Sequence, residues 1–208
     1  MSLRRNVFYF ENPGPANTVF VIDAVKERLA LGDLDVVLVP FTTGKTAEMF
    51  SHRLQGVAVV IPISETDAIS ACKRIAYSDK GLLGSLVRSR LEEVSDLERK
   101  KLHREVFDMT FLPFCGDAWT AAREILYAFG HGMKVAVEVS VVSVEVGKMK
   151  PQTRVMAVGG TGGGVDTAVI TRTSTQQEAF GKQPEKRLTV QEIVAMPIQK
   201  YSLDGNRL

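Results

Sequence analysis

Cysteine is nearly absent: Cys72 and Cys115 are the only two in 208 residues. Isolated and far apart, they have neither the paired spacing of a zinc site nor the density of a secreted disulfide framework. They read as small buried hydrophobes in a reduced cytoplasm. Histidine is scarce too: of His52, His103 and His131, the first sits in a helix and the second among charges, and neither of those two pairs recognisably with a nucleophile. No serine stands in a G-x-S-x-G elbow, and no carboxylate pair or metal-ligand spacing is visible. No metal is expected. The chain offers places to hold a ligand without visible catalytic machinery, which leaves open whether it is an enzyme.

Charge of one sign is missing as well. The 26 basic residues against 24 acidic ones leave a net +2, whereas a nucleic-acid binder usually carries a clustered basic face. No stretch approaches the roughly 18 uncharged apolar residues of a membrane span, and the N-terminus lacks a long apolar signal core. Neither nucleic acid nor a membrane is an expected partner, and the expected location is the cytoplasm. Solenoid repeats and linkers are absent, so residues 1–208 read as one domain, long enough to bury a core without disulfide or metal help.

What is present is an alternation of strands and helices. "NVFYF" is a short apolar strand followed by turn residues in "ENPGP", and Asn17 or Thr18 can then cap a helix with Ile22, Val25 and Leu29 on its apolar face. Gly32 closes that helix where a left-handed residue is wanted. "DVVLVPF" is a continuous apolar run of the kind buried on both faces of a parallel sheet. A second helix carries Ala47, Phe50 and Leu54 at helical spacing, closes at Gly56 and leads into "VAVVIPI". Such alternation predicts an α/β fold: a mainly parallel sheet covered on both sides.

The middle, Ser64 to Lys101, is polar and helix-prone, with Ser95 and Glu98 as a capping-box pair, and "VFDMTFLPF" is a candidate strand. Asp117 caps a helix whose apolar stripe is Ala122, Ile125, Leu126 and Phe129. "MKVAVEVSVVSVEVG" alternates Val135, Val137, Val139 and Val141 and reads as a strand by itself. After "RVMAVGG" and "VDTAVITR", the segment "TSTQQEAFGKQPEKR" reads as an exposed loop and "TVQEIVAMPI" as a last short strand.

Two stretches carry candidate chemistry. "FTTGKTAE" follows a buried strand and opens a helix, so free amides, hydroxyls and Lys45 make a phosphate cradle. A Walker A loop would need a glycine five positions before Gly44, where Val39 stands, so an NTPase is not expected. The plainer alternative is a helix capped by Thr42 or Thr43 with Lys45 in solvent. The other stretch, Gly159 to Gly164, places five glycines in six residues. It is no dinucleotide fingerprint, because Val165 takes the place of the last glycine and a strand follows. Either it is a flexible hairpin loop, or its bare backbone lets a flat or charged ligand sit close. His131, between two glycines, is a ligand contact or a solvated loop residue.

At "NPGPANT", "TTGKTA", "FGHGMKVAVEV" and "AVGG…GVDTAVITR…EIVAMP" the chain resembles a family of small stand-alone prokaryotic proteins similar to the C-terminal domain of pyruvate kinase. The order and spacing hold from about Val7 to Met196; Glu65 to Phe114 departs from the pattern. The resemblance implies a three-layer α/β/α fold with a mainly parallel sheet, and a helix rather than a strand over 133–147. It also implies a phosphorylated ligand, with flavin mononucleotide (FMN) as the cofactor found in such proteins. The phosphate then falls to Thr42, Thr43, Gly44, Lys45 and Thr46. The ring or ribityl chain falls to Asn17, Thr18, Gly159, Gly160, Asp166 and Thr167, with His131 and Gly132 as further candidates. The function this implies is a small-molecule binding protein, the alternatives being a flavin-dependent oxidoreductase or a regulatory subunit acting through a protein partner. Assembly into a homo-oligomer is compatible with each.

Overall fold

The computed structural model describes residues 2–64 and 117–200. In order, the elements are β1 (Phe8–Phe10), α1 (Thr18–Leu29), β2 (Val36–Phe41), α2 (Lys45–Arg53) and β3 (Val59–Ser64), then α3 (Asp117–Tyr127) and α4 (His131–Glu145). β4 (Arg154–Gly159), β5 (Thr167–Arg172), the short α5 (Gln176–Ala179) and β6 (Thr189–Pro197) follow. Expectations for Cys72, Cys115, His103, the Ser95–Glu98 pair, "VFDMTFLPF" and the divergent stretch 65–114 lie outside the described residues. Among those described, no helix is long and apolar enough to cross a membrane.

Among the described residues, six strands form one sheet in the order β1-β6-β5-β4-β2-β3. β1 and β6, β4 and β2, and β2 and β3 pair in parallel, while β5 runs antiparallel to both of its neighbours. Alternation along each strand sorts the core into two halves. Val37, Val39, Met156, Val158, Ala168 and Ile170 meet Val21, Ile22 and Val25 of α1 and Ala47 and Phe50 of α2. Leu38, Val155, Ala157 and Val169 meet Met133, Ala136, Val139 and Val142 of α4 on the other face. Helices therefore cover both faces, as the βαβ alternation predicts. Gly32 and Gly56 close their helices with φ of 74° and 76°, in the left-handed region that favours glycine.

The strand reading of "MKVAVEVSVVSVEVG" is overturned, since these residues lie within α4 and just beyond it. Every residue from Gly132 to Ser143 is buried, so no solvent-facing stripe exists to impose a 3.6-residue period. Alternating valines then fit a helix as well as a strand, and burial outweighs their modest helix propensity. Lys134 and Glu138, four apart and 3.2 Å from each other, are the helical feature in that run.

The segment after β5 is an exposed loop only in its second half: residues 182–187 are exposed, but its start is not. Thr173, Ser174, Gln176 and Ala179 are buried, because Ser174 donates to the Lys186 carbonyl at 2.6 Å and the Gln176 amide donates to Glu145 at 2.7 Å. Thr175 caps α5 by accepting from the Glu178 amide. In α3, Leu126 packs on the core, whereas Ile125 and Phe129 are exposed and do not share its stripe.

At the end where the parallel strands begin, Arg28 is locked between two carboxylates. Its guanidinium reaches Asp33 at 2.6 and 3.0 Å and Glu192 at 2.7 and 3.0 Å. Arg154 adds two bonds to Asp33 at 3.3 Å. This network ties α1 to β4 and β6.

Candidate functional site

Because β1, β2, β3, β4 and β6 point the same way, their C-terminal ends share one rim, where β5 begins. β2 and β4 are neighbours through Leu38 and Ala157. From β2 the chain turns outward to β3, and from β4 it turns the other way to β5. Such a reversal opens a crevice at the carboxyl ends of the strands, the usual ligand position in open α/β sheets.

The loop from β2 into α2 lies at this crevice. Thr42, Thr43 and Lys45 are exposed, and Gly44 and Thr46 half-buried. Gly44 holds the N-cap position with φ 85°, so neither Thr42 nor Thr43 caps the helix. A side chain at Gly44 would also press on the Phe41 ring at 3.1 Å. The first amides of α2 have no intrahelical acceptor and face the rim together with two hydroxyls and one ammonium. Glu48 in the first turn offsets part of the helix dipole, which leaves Lys45 as the positive charge of the loop.

The glycine run divides into two kinds of residue. A side chain on Gly159 would meet the Gly132 carbonyl at 2.1 Å and the Ala136 amide at 2.8 Å, since α4 crosses β4 there. One on Gly160 would meet the Gly164 carbonyl at 2.0 Å, and one on Gly164 would meet Pro15 and the Thr18 hydroxyl at 2.6 Å. These three are bare because protein packs on them. Gly162 and Gly163 are exposed, with φ of 71° and 92° and no neighbour near the side-chain position of Gly163. They present open backbone at the rim. Sequence reasoning read the whole run as open backbone but gave the ring or ribityl contact to Gly159 and Gly160 and not to these two.

Asp166 is the hub beneath the loop. It is fully buried, accepting the Gly14 amide on one oxygen and the Thr167 hydroxyl on the other, each at 2.9 Å. Burial raises its pKa above the ordinary carboxylate value, while these donors and Thr161 pull the other way. Thr167 is buried too, and Gly132 fits against both residues only because it lacks a side chain: a Cβ there would stand 2.3 Å from each. Asp166, Thr167, Gly132 and Gly159 are thus brought together as the frame of the rim. Thr18 belongs to the same frame, accepting from the Val165 amide at 3.2 Å and donating to the Pro15 carbonyl at 2.7 Å.

Asn17 occupies the N-cap of α1 without a side-chain capping bond, its amide donating instead to the Asn12 carbonyl at 2.8 Å. His131, half-buried, opens α4 and stacks on Tyr127 with ring centroids 5.6 Å apart. Lys200, three residues beyond β6, is half-buried at the same rim, and no sequence motif marked it. Among the described residues, no group of three or more His, Cys, Asp or Glu could hold a metal ion, and no hydrogen bond links the Thr42–Thr46 loop to the Asp166 frame. Compared with models of known protein families, the chain matches none.

Proposed function

We propose that the chain is a small-molecule binding module that holds a phosphorylated ligand at the carboxyl rim of its sheet, with FMN the leading candidate. The observation that carries this reading is the pairing of β2 with β4, whose ends lead into a Thr-Thr-Gly-Lys-Thr helix start, with Thr42, Thr43 and Lys45 exposed, and into the open backbone of Gly162 and Gly163. A phosphate dianion suits the first: amides, hydroxyls and Lys45 are all donors, and two left-handed glycines leave room for a ring or sugar against the second. Asp166 and Thr167, being buried, serve by holding the rim in shape. Kinship with the pyruvate kinase C-terminal domain and a cytoplasmic setting belong to the same proposal.

The test is titration with FMN, followed by flavin fluorescence, for the native chain and for Lys45→Ala. Losing one phosphate contact should weaken affinity about tenfold, roughly 1.4 kcal/mol. Equal affinities would remove the Thr42–Thr46 loop from the site.

A further inference from the structure

Lys200 follows β6, whose pairing with the β1 side continues past the strand ends: the Ile198 amide donates to Phe10 at 2.7 Å and the Gln199 amide to Glu11 at 3.1 Å. This carries Lys200 onto the rim. Its aliphatic stem lies over Gly130, where a side chain would come within 3.6 Å of Cδ. Its ammonium donates to the Pro197 carbonyl, which engages one of three N–H donors. Burial lowers its pKa, and the charge of Asp166 counteracts this without a direct ion pair. Among the described residues, a cation is thus held at the rim by a single carbonyl, with two donors in reserve.

We propose that Lys200 is a second anchor of the rim site and selects an extended phosphomonoester whose far end carries a hydrogen-bond acceptor or a negative charge. This rests on the phosphate reading of the Thr42–Thr46 loop. β2 and β6 are separated by three interstrand steps, β2-β4-β5-β6, so the strand ends that lead to the two lysines stand about 14 Å apart along the rim. The glycine hairpin lies between them. A short phosphate reaches one lysine, and only an elongated ligand spans both.

FMN and inorganic phosphate serve as long and short probes, titrated against the native chain, Lys200→Met, Lys200→Arg and Lys45→Ala. Lys200→Met keeps the stem over Gly130; it should lose about tenfold in FMN affinity and leave phosphate affinity unchanged, with Lys200→Arg restoring most of the loss. Lys45→Ala should weaken both probes. Unchanged FMN affinity in Lys200→Met would overturn the proposal, as would an equal loss for both probes, which would mark Lys200 as shaping the rim rather than touching the ligand. An effect of Lys200→Met on FMN with none of Lys45→Ala on either probe would sustain the Lys200 contact and overturn the phosphate loop. A native chain that binds neither probe would overturn both.

Discussion

Gly159→Ala separates two explanations of the glycine run. On local propensity the change should help, because glycine inside a strand costs roughly 0.5–1 kcal/mol relative to alanine. Gly159 lies outside the left-handed region, so alanine fits its backbone. The packing says the reverse. The added methyl would stand 2.1 Å from the Gly132 carbonyl and 2.8 Å from the Ala136 amide, so α4 and β4 must separate by about 1 Å to reach ordinary contact. α4 cannot give readily: twelve consecutive residues are buried, and Gly132 is already pressed against Asp166 and Thr167. Overpacking of this kind costs about 3 kcal/mol, at the upper end of its usual range. For a chain of this size that is a fall of roughly 6–12 °C in melting temperature. Thermal melts and urea midpoints, read with an unchanged m-value, measure it. Gly163→Ala is the control: it meets no neighbour and should cost only the left-handed backbone penalty of about 1–2 kcal/mol. A Gly159→Ala chain as stable as the native one, or more stable, would refute the packing explanation.

Two further perturbations test the frame. Arg28→Met should destabilise the chain by about 2 kcal/mol in urea unfolding, because it removes the bidentate partner of Glu192 and leaves Asp33 only its longer bonds to Arg154; a loss under 0.5 kcal/mol, roughly what an ordinary surface substitution gives, would mean that the network is ornamental. Asp166→Asn should change the pH dependence of stability. The folded pKa is raised above the ordinary value of 3.8, so the folded chain holds a proton that the unfolded chain releases; the stability this adds is present at low pH and lost as pH rises through the folded pKa. Asparagine removes that slope, while its amide faces the Gly14 or Thr167 donor and costs about 1–3 kcal/mol. A slope that survives the substitution would assign it to another group.

Much of the fold was legible because the first three strands and two helices obey local rules: apolar runs for buried strands, helical spacing at Ala47, Phe50 and Leu54, and left-handed glycines at the helix ends. α4 was not, since a helix buried on every side has no amphipathic period and its valines mimic a strand. The start of the segment after β5 misled in the opposite sense, Ser174 and Gln176 being buried beside their bonds to Lys186 and Glu145. At the candidate site, the exposed Thr-Thr-Gly-Lys-Thr loop could be read from its position between a strand and a helix. The roles of the glycines could not. Gly159 is bare on account of Gly132, and Gly164 on account of Pro15 and Thr18, contacts that only the tertiary structure brings together. Lys200 escaped notice for the same reason, because nothing adjacent to it in sequence names Gly130 or Asp166 as its neighbours.

The most direct test of the central claim, a phosphorylated ligand at the carboxyl rim, is an amide-resolved NMR titration of the isotope-labelled chain with FMN. Shifts should concentrate at residues 43–46 and at Gly162 and Gly163, with inorganic phosphate reproducing only the first group. Shifts absent from both loops at millimolar FMN, or confined to the opposite end of the sheet around Arg28, would contradict it.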